Sequence, residues 1–150
     1  MSRSYQQTTY HVVFCTKYRQ KSLPLEHSRE LYNYIWGIIK NRKARLFRIN
    51  GIEDHLHLLI NLPSSMSLAS LVRDIKAFSS TWLRQNPNFP EFQGWADNYA
   101  AFTYAYRDRN KIANYIRKQR EHHKRQEVER EIRQIFFEQG MRVDERFFEG

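Results

Sequence analysis

Cysteine is almost absent from this sequence, which narrows the classes of protein it can form. The 150 residues include a single cysteine, Cys15. One thiol cannot make an intrachain disulfide or a cysteine-based zinc cluster within one subunit. Cys15 lies in an apolar run, so we expect it to be a core residue.

Long apolar runs and flexible linkers are also missing. No stretch approaches the roughly 18 apolar residues that cross a bilayer, and Met1–Tyr10 has no apolar segment of a signal peptide. We therefore expect a cytoplasmic protein with no membrane partner. No tract of Gly, Ser or Pro is long enough to separate two domains. The chain is predicted to be a single domain over residues 1–150, with residues 127–150 as a charged helical extension.

Acidic residues are fewer than basic residues in this sequence. The sequence has 25 Lys and Arg against 16 Asp and Glu, a formal charge of +9. This excess favours a polyanionic partner, nucleic acid before membrane, although it could also serve solubility alone. Phe, Tyr and Trp make up 15% of the chain. These side chains stack on the bases of single-stranded nucleic acid, so the composition favours nucleic acid.

The periodicity of apolar residues predicts alternating strands and helices. The predicted elements are a strand at Thr9–Thr16, a helix opened by Pro24, strands at Ala44–Asn50 and His55–Leu62 joined by a turn at Gly51–Asp54, a helix from Leu68 with Ser67 as its N-cap, a strand at Tyr99–Tyr106, a helix at Lys111–Arg125 capped by Asp108, and a helical stretch at Glu127–Gln139. This order predicts an α+β, ferredoxin-like (RRM-like) antiparallel sheet with two helices on one face and an added C-terminal helix.

Two residue pairs carry the candidate chemistry. Residues two apart on a strand share a face, so His55 and His57 would present two imidazoles side by side. Residues four apart on a helix also share a face, so Tyr115 and Gln119 could address one point in space. Together they offer two nitrogen ligands, one amide oxygen and one nucleophile, which predicts a metal-assisted DNA nicking site.

Several sequence blocks, in this order and spacing, resemble one family. They are Tyr10-His11-Val12-Val13-Phe14 with Thr16-Lys17-Tyr18-Arg19, His55-Leu56-His57, the block of Trp95, Tyr99 and Phe102, and Tyr115-Ile116-Arg117-Lys118-Gln119 followed by His122-His123. The chain resembles the single-tyrosine transposases of bacterial insertion sequences and their REP-associated relatives, in the HUH endonuclease superfamily. The resemblance covers nearly the whole length.

The resemblance implies a role for each site residue. His55, His57 and Gln119 would bind a divalent cation, Mg²⁺ or Mn²⁺, and Tyr115 on the added helix would attack a phosphodiester to form a 5′-phosphotyrosine. The substrate would be single-stranded DNA near a hairpin, and the protein would act as a homodimer. An ordinary tyrosine is ionised only to roughly one part in a thousand at neutral pH, so Tyr115 needs help from the cation or from nearby basic residues.

Basic residues in several regions are candidate phosphate contacts. The candidates are Lys17, Arg19 and Lys21 after the first strand, Arg42 and Lys43 after the first helix, and Arg109, Lys118 and His122 around the tyrosine. His11 could be a core residue or could support the metal ligands from beneath. The apolar strip formed by Ile132, Ile135, Phe136 and Phe137 could pack on its own sheet or across a dimer.

Three other functions are compatible with parts of this pattern. The first is a catalytically silent nucleic-acid-binding module, because RRM domains use the same sheet with aromatic side chains. The second is a metal-dependent phosphodiesterase that uses water, for which Glu53 and Asp54 are the acids beside the histidine pair. The third is a domesticated relative that nicks DNA without being mobile, which would have the same sequence features.

Overall fold

A computed structural model describes residues 7–118 and 125–142 of the chain. The strands in these ranges are β1 (Thr9–Thr16), β2 (Arg45–Ile52), β3 (His55–Asn61) and β4 (Trp95–Tyr104), and the helices are α1 (Ser28–Asn41), α2 (Leu68–Gln85), α3 (Arg109–Arg117) and α4 (Arg125–Glu138). The strands form an antiparallel sheet in the order β2-β3-β1-β4. The predicted ferredoxin-like arrangement is confirmed.

One face of the sheet carries the main core. Strand side chains alternate between faces, so Val12 and Phe14 of β1 and Leu56, Leu58 and Ile60 of β3 point toward α1 and α2. The helices return buried residues at helical spacing, among them Leu31, Ile35 and Ile39 of α1 and Leu71, Val72 and Ile75 of α2. Each fully buried aliphatic side chain contributes about 1.5–3 kcal/mol. The predicted N-cap of α2 is confirmed, since the Ser67 side chain accepts a hydrogen bond from the Ser70 amide at 3.1 Å.

The opposite face of the sheet is covered by α3 and α4. Ile112 and Ile116 of α3 pack on Leu59 of β3. Phe136 of α4 packs edge-on against Phe102 of β4, with ring centroids 5.3 Å apart. We call this the histidine face, because His55 and His57 share it with Leu59. Phe136 thus packs on its own sheet, whereas Phe137 is 78% exposed.

Several predicted boundaries were wrong, including the end of β4, which lies at Tyr104 and not at Tyr106. β4 begins at Trp95, four residues early, because Trp95 pairs with Thr16 of β1 even though Asp97 and Asn98 disfavour strands. β2 runs to Ile52, so the hairpin turn is only Glu53 and Asp54. The α3 helix begins at Arg109, two residues before the predicted start, and the second half of the predicted helix lies largely outside the described residues.

The Asp108 capping prediction is confirmed in position but not in mechanism. Asp108 is the N-cap residue of α3, yet its side chain makes no capping hydrogen bond.

Among the helices of the described ranges, none combines the length and the apolar character that a membrane crossing needs. Cys15 is buried, as predicted.

Candidate active site

His55 and His57 form a buried pair on the histidine face. Neither residue is exposed to solvent, and their ring centroids lie 5.1 Å apart. The pairing of β3 with β1 places His57 opposite Val13 and His55 opposite Cys15. Both rings are therefore fixed by the centre of the sheet, and the predicted side-by-side arrangement is observed.

The Nδ1 atom of each histidine has a buried partner. His55 Nδ1 lies 2.7 Å from Asp54 Oδ1, and His57 Nδ1 lies 2.8 Å from His11 Nε2. Because the Asp54 carboxylate can only accept, the proton of this hydrogen bond is on His55 Nδ1, and in the neutral ring Nε2 then holds the lone pair. Burial lowers the pKa of His11 to about 3, so the His11 ring is neutral at physiological pH.

The histidine pair fits a metal ligand set. His55 Nε2 is buried and has no hydrogen-bond partner among the described residues. A histidine that binds a metal through one ring nitrogen typically has its other ring nitrogen held by a carboxylate or a similar group. In residues 7–118 and 125–142, no three or more His, Cys, Asp or Glu side chains are grouped to hold a metal.

Tyr115 lies beside the histidine pair. Its ring is half-buried, edge-on to His57 with centroids 5.9 Å apart and to His11 at 6.0 Å. Gln119 and His122, predicted as a metal ligand and a DNA contact, lie outside the described residues.

Asn50 attaches the tyrosine helix to the sheet. This β2 residue pairs with His57. Its side-chain Nδ2 donates to the carbonyl oxygens of Ile116 at 3.2 Å and Arg117 at 3.0 Å. The last carbonyls of a helix have no partner within it, so Asn50 satisfies two of them and fixes the end of α3. Asn50 was missed in the sequence because a lone asparagine in a strand gives no signal of a contact 66 residues away.

One predicted DNA contact is corrected by the structure. Arg19 is only 4% exposed, and its Nη2 lies 3.7 Å from Asp54 Oδ2. It therefore points into the protein, while Lys17 and Lys21 on either side of it are exposed. Tyr18 and Arg19 both have a left-handed backbone, with φ of 57° and 54°, which turns the Arg19 side chain inward.

The other basic candidates are spread over the surface. Lys43 and Lys118 are exposed. Arg42 Nε donates to Asp74 Oδ2 at 3.0 Å, and Arg109 lies over the Phe47 ring at 5.6 Å. Arg42 and Lys43 lie just before the start of β2, where Arg45 pairs with Asn61 at the far end of β3. They are thus separated from His55 by the length of β3, roughly 20 Å at 3.3 Å per residue.

A basic groove beside β4 was not predicted. It has a volume of about 460 Å³ and is lined by Lys17, Arg73, Lys76 and Arg84, with Asp97 as an acidic lining residue. Lys76 Nζ donates to the carbonyl oxygens of Ala96 and Asn98, and burial lowers the pKa of Lys76. The signal was present in α2 as basic residues at helical spacing on its solvent face.

The candidate stacking aromatics are divided between core and surface. Trp95 and Phe102 are buried, and the Trp95 indole donates to Ser79 Oγ at 2.9 Å. Tyr99 and Tyr104 are half-buried. Burial, together with the charge of Glu138, raises the pKa of Tyr104.

Comparison with known proteins defines the class. Residues 4–119 match the family described as Transposase IS200 like. The chain is 28% identical over 120 residues to the transposase for insertion sequence element IS200 of Salmonella typhimurium, covering 77% of this chain and 78% of that protein. It is 24% identical over 120 residues to the ISDra2 transposase TnpA of Deinococcus radiodurans, covering 75% and 84%.

A solved structure shares the fold. The REP-associated tyrosine transposase bound to a REP hairpin superimposes with a TM-score of 0.61 at 17% identity, covering 82% of this chain and 73% of that one. The fold and the sequence matches thus define an enzyme of DNA transposition. The chain belongs to the IS200-like transposase family.

Proposed function

We propose that this transposase cuts and rejoins single-stranded DNA through covalent attachment to Tyr115. The observation that supports this most directly is the contact of the Tyr115 ring with His57, whose ring lies beside His55 in the buried pair. A nucleophile beside two preoriented metal ligands is the arrangement that phosphodiester cleavage needs.

The reaction would proceed by displacement at phosphorus. The Tyr115 phenol oxygen loses its proton and forms a bond to phosphorus, while the bond from phosphorus to the 3′ oxygen breaks. The departing oxygen takes up a proton and becomes a free 3′-hydroxyl, and the 5′ end stays on the enzyme as a phosphotyrosine. Attack by a 3′-hydroxyl reverses these steps, so rejoining needs no outside energy.

We propose His55 and His57 as ligands of Mg²⁺ or Mn²⁺, with Gln119 as a third. Nδ1 of each histidine has a buried partner, so ligation would fall to the two Nε2 atoms. The ion, when bound, would polarise the phosphate and neutralise its charge. Arg109, Lys111 and Lys118 lie on or next to α3, where their positive charge would favour the tyrosinate.

Two observations favour Tyr115 over its neighbour Tyr104 as the proposed nucleophile. Both rings lie near His11, with centroids 6.0 Å away for Tyr115 and 6.3 Å for Tyr104. Burial and Glu138 hold the pKa of Tyr104 above its ordinary value, which disfavours the reactive tyrosinate. Of these two tyrosines, Tyr115 alone has a ring contact with His57 among the described residues.

The proposed substrate is a single strand next to a DNA hairpin in the cytoplasm. The net charge of +9 and the basic groove lined by Lys17, Arg73, Lys76 and Arg84 support binding to phosphates. The REP-associated relative was solved with a hairpin, which supports the same ligand class.

We also propose a homodimer, for which the exposed Phe137 on α4 is a candidate contact. Sedimentation of the wild type and Phe137→Ser would test it.

A covalent-adduct assay tests the proposal. The protein is incubated with labelled single strands from both flanks of its gene, with Mg²⁺ or Mn²⁺, and resolved on a denaturing gel. We expect an adduct that disappears with chelator and with His57→Ala, and a Tyr115→Phe variant that binds DNA without attachment. Binding with no adduct on any hairpin-bearing strand would instead favour a silent binding module, and product formation by Tyr115→Phe would favour hydrolysis by water.

A further inference from the structure

A carboxylate at the β2–β3 turn is buried between a histidine and an arginine. Asp54 Oδ1 lies 2.7 Å from His55 Nδ1, and Asp54 Oδ2 lies 3.7 Å from Arg19 Nη2. The side chains of Arg19, Asp54 and His55 are 1%, 3% and 0% exposed. The two carboxylate oxygens thus face different partners, and the three groups form a continuous buried series.

The surrounding backbone holds this series in place. The Thr16 amide donates to the Asp54 carbonyl at 2.9 Å, and the Thr16 hydroxyl lies 3.2 Å from the same oxygen. The left-handed backbone at Tyr18 and Arg19 is unfavourable for residues other than glycine. Such strain persists where the surroundings enforce it, and it is enriched at functional sites.

Stability alone is a poor explanation for this arrangement. Removing a carboxylate and a guanidinium from water carries a large desolvation penalty, and apolar residues of similar volume often do as well. The third member of the series gives a functional reason, because His55 is a proposed metal ligand. A carboxylate on Nδ1 fixes the ring orientation and the tautomer, and it makes Nε2 a stronger donor to a metal.

We propose that Asp54 is the positioning residue that prepares His55 to ligate the metal, and that Arg19 holds Asp54 in the orientation this requires. The inference rests on the proposed function, in which His55 and His57 bind the ion. It also assigns unlike supports to the two ligands, since the His57 Nδ1 contact is to the His11 ring.

The first test uses metal-free protein. Long-range proton–nitrogen NMR of ¹⁵N-histidine-labelled protein reports which ring nitrogen of His55 carries the proton. We expect the Nδ1–H tautomer in the wild type and a shift toward Nε2–H in Asp54→Asn, because an amide can donate to Nδ1. Glu53→Gln is the matched control, since it removes the same charge from the adjacent residue and should keep the wild-type tautomer. A wild-type Nε2–H tautomer, or no change in Asp54→Asn, would overturn the proposal.

The second test measures affinity for Mn²⁺ without DNA, by electron paramagnetic resonance of the free ion. Loss of a group that supports a metal ligand typically weakens binding about 10- to 100-fold. We expect that range for Asp54→Asn, a smaller loss for Arg19→Gln, and a change within about two-fold for Glu53→Gln. Wild-type affinity in a folded Asp54→Asn would contradict the inference.

The two tests separate this inference from the proposed function. If His57→Ala binds Mn²⁺ as well as the wild type does, the proposed metal site fails, whatever Asp54 does. If His57→Ala loses Mn²⁺ but Asp54→Asn does not, the metal site stands and the role of Asp54 fails. Should Arg19→Gln not fold, Arg19→Lys keeps the charge with a different shape, and an unchanged His55 tautomer in that variant would refute the need for the guanidinium.

Discussion

His11 should lower the free energy of unfolding as the pH falls, and substitution of His11 should remove this pH dependence. The ring is completely buried on the histidine face. The titratable groups around it are His57 from β3, Tyr104 from β4 and Tyr115 from α3. Burial lowers the pKa of His11 from 6.5 to about 3 in the folded protein.

The sign of the effect follows from proton binding. Between about pH 6.5 and 3 the unfolded chain carries a proton on His11 and the folded protein does not. The unfolded state binds more protons in that range, so the free energy of unfolding falls as the pH falls from 6.5 toward 3, and it is unaffected by His11 above this range. At about 1.4 kcal/mol per pH unit, the total loss is about 5 kcal/mol, and about 2 kcal/mol is already lost at pH 5.

The assay is urea unfolding at several pH values between 5 and 8, with chelator present so that metal binding does not contribute. His11→Gln removes the titrating ring, so the difference in unfolding free energy between wild type and variant should shrink by about 2 kcal/mol from pH 7.5 to pH 5. His27→Gln controls for the loss of a histidine that is only half-buried. A wild-type pH dependence that persists in His11→Gln would refute the assignment, and His11→Asn serves if the first variant is too unstable.

Three further substitutions test other parts of the structure. Gly51→Ala should cost about 1–3 kcal/mol, because the added Cβ would meet the His55 carbonyl oxygen and lie 2.8 Å from Leu56 Cδ2; an unchanged urea midpoint would contradict the tight hairpin. Asn50→Ala should slow adduct formation, because it releases the end of α3; an unchanged rate would show that the attachment is dispensable. Phe136→Ala should cost about 3 kcal/mol, since its buried ring packs on Phe102; a loss below 1 kcal/mol in thermal unfolding would mean that α4 adds little to stability.

Local pattern was sufficient to predict the sheet and much of the site. The β-branched and aromatic residues of β1 and the apolar run of β3 predicted both strands, and the two-residue spacing of His55 and His57 correctly predicted a shared face. The start of β4 was missed because its pairing with β1 overrides the weak strand propensity of Asp97 and Asn98. Propensity is local, whereas pairing depends on the partner strand.

Contacts between distant residues could not be predicted in this way. Arg19 lies between exposed basic neighbours in the sequence, and only its left-handed backbone and the nearby Asp54 reveal that it is buried. His11 and Asn50 likewise gain their partners through the sheet, from His57 and from the end of α3. A composition or spacing rule does not contain this information, because the partners are more than 30 residues apart.

The central claim is that Tyr115 becomes covalently joined to DNA. The most direct measurement is mass spectrometry of the nuclease-trimmed and protease-digested adduct, which identifies the modified residue. We predict a nucleotide joined through its phosphate to the peptide that contains Tyr115. The yield of this peptide in Tyr104→Phe should equal that in the wild type. A nucleotide on Tyr104, or cleaved DNA with no modified peptide, would contradict attachment to Tyr115.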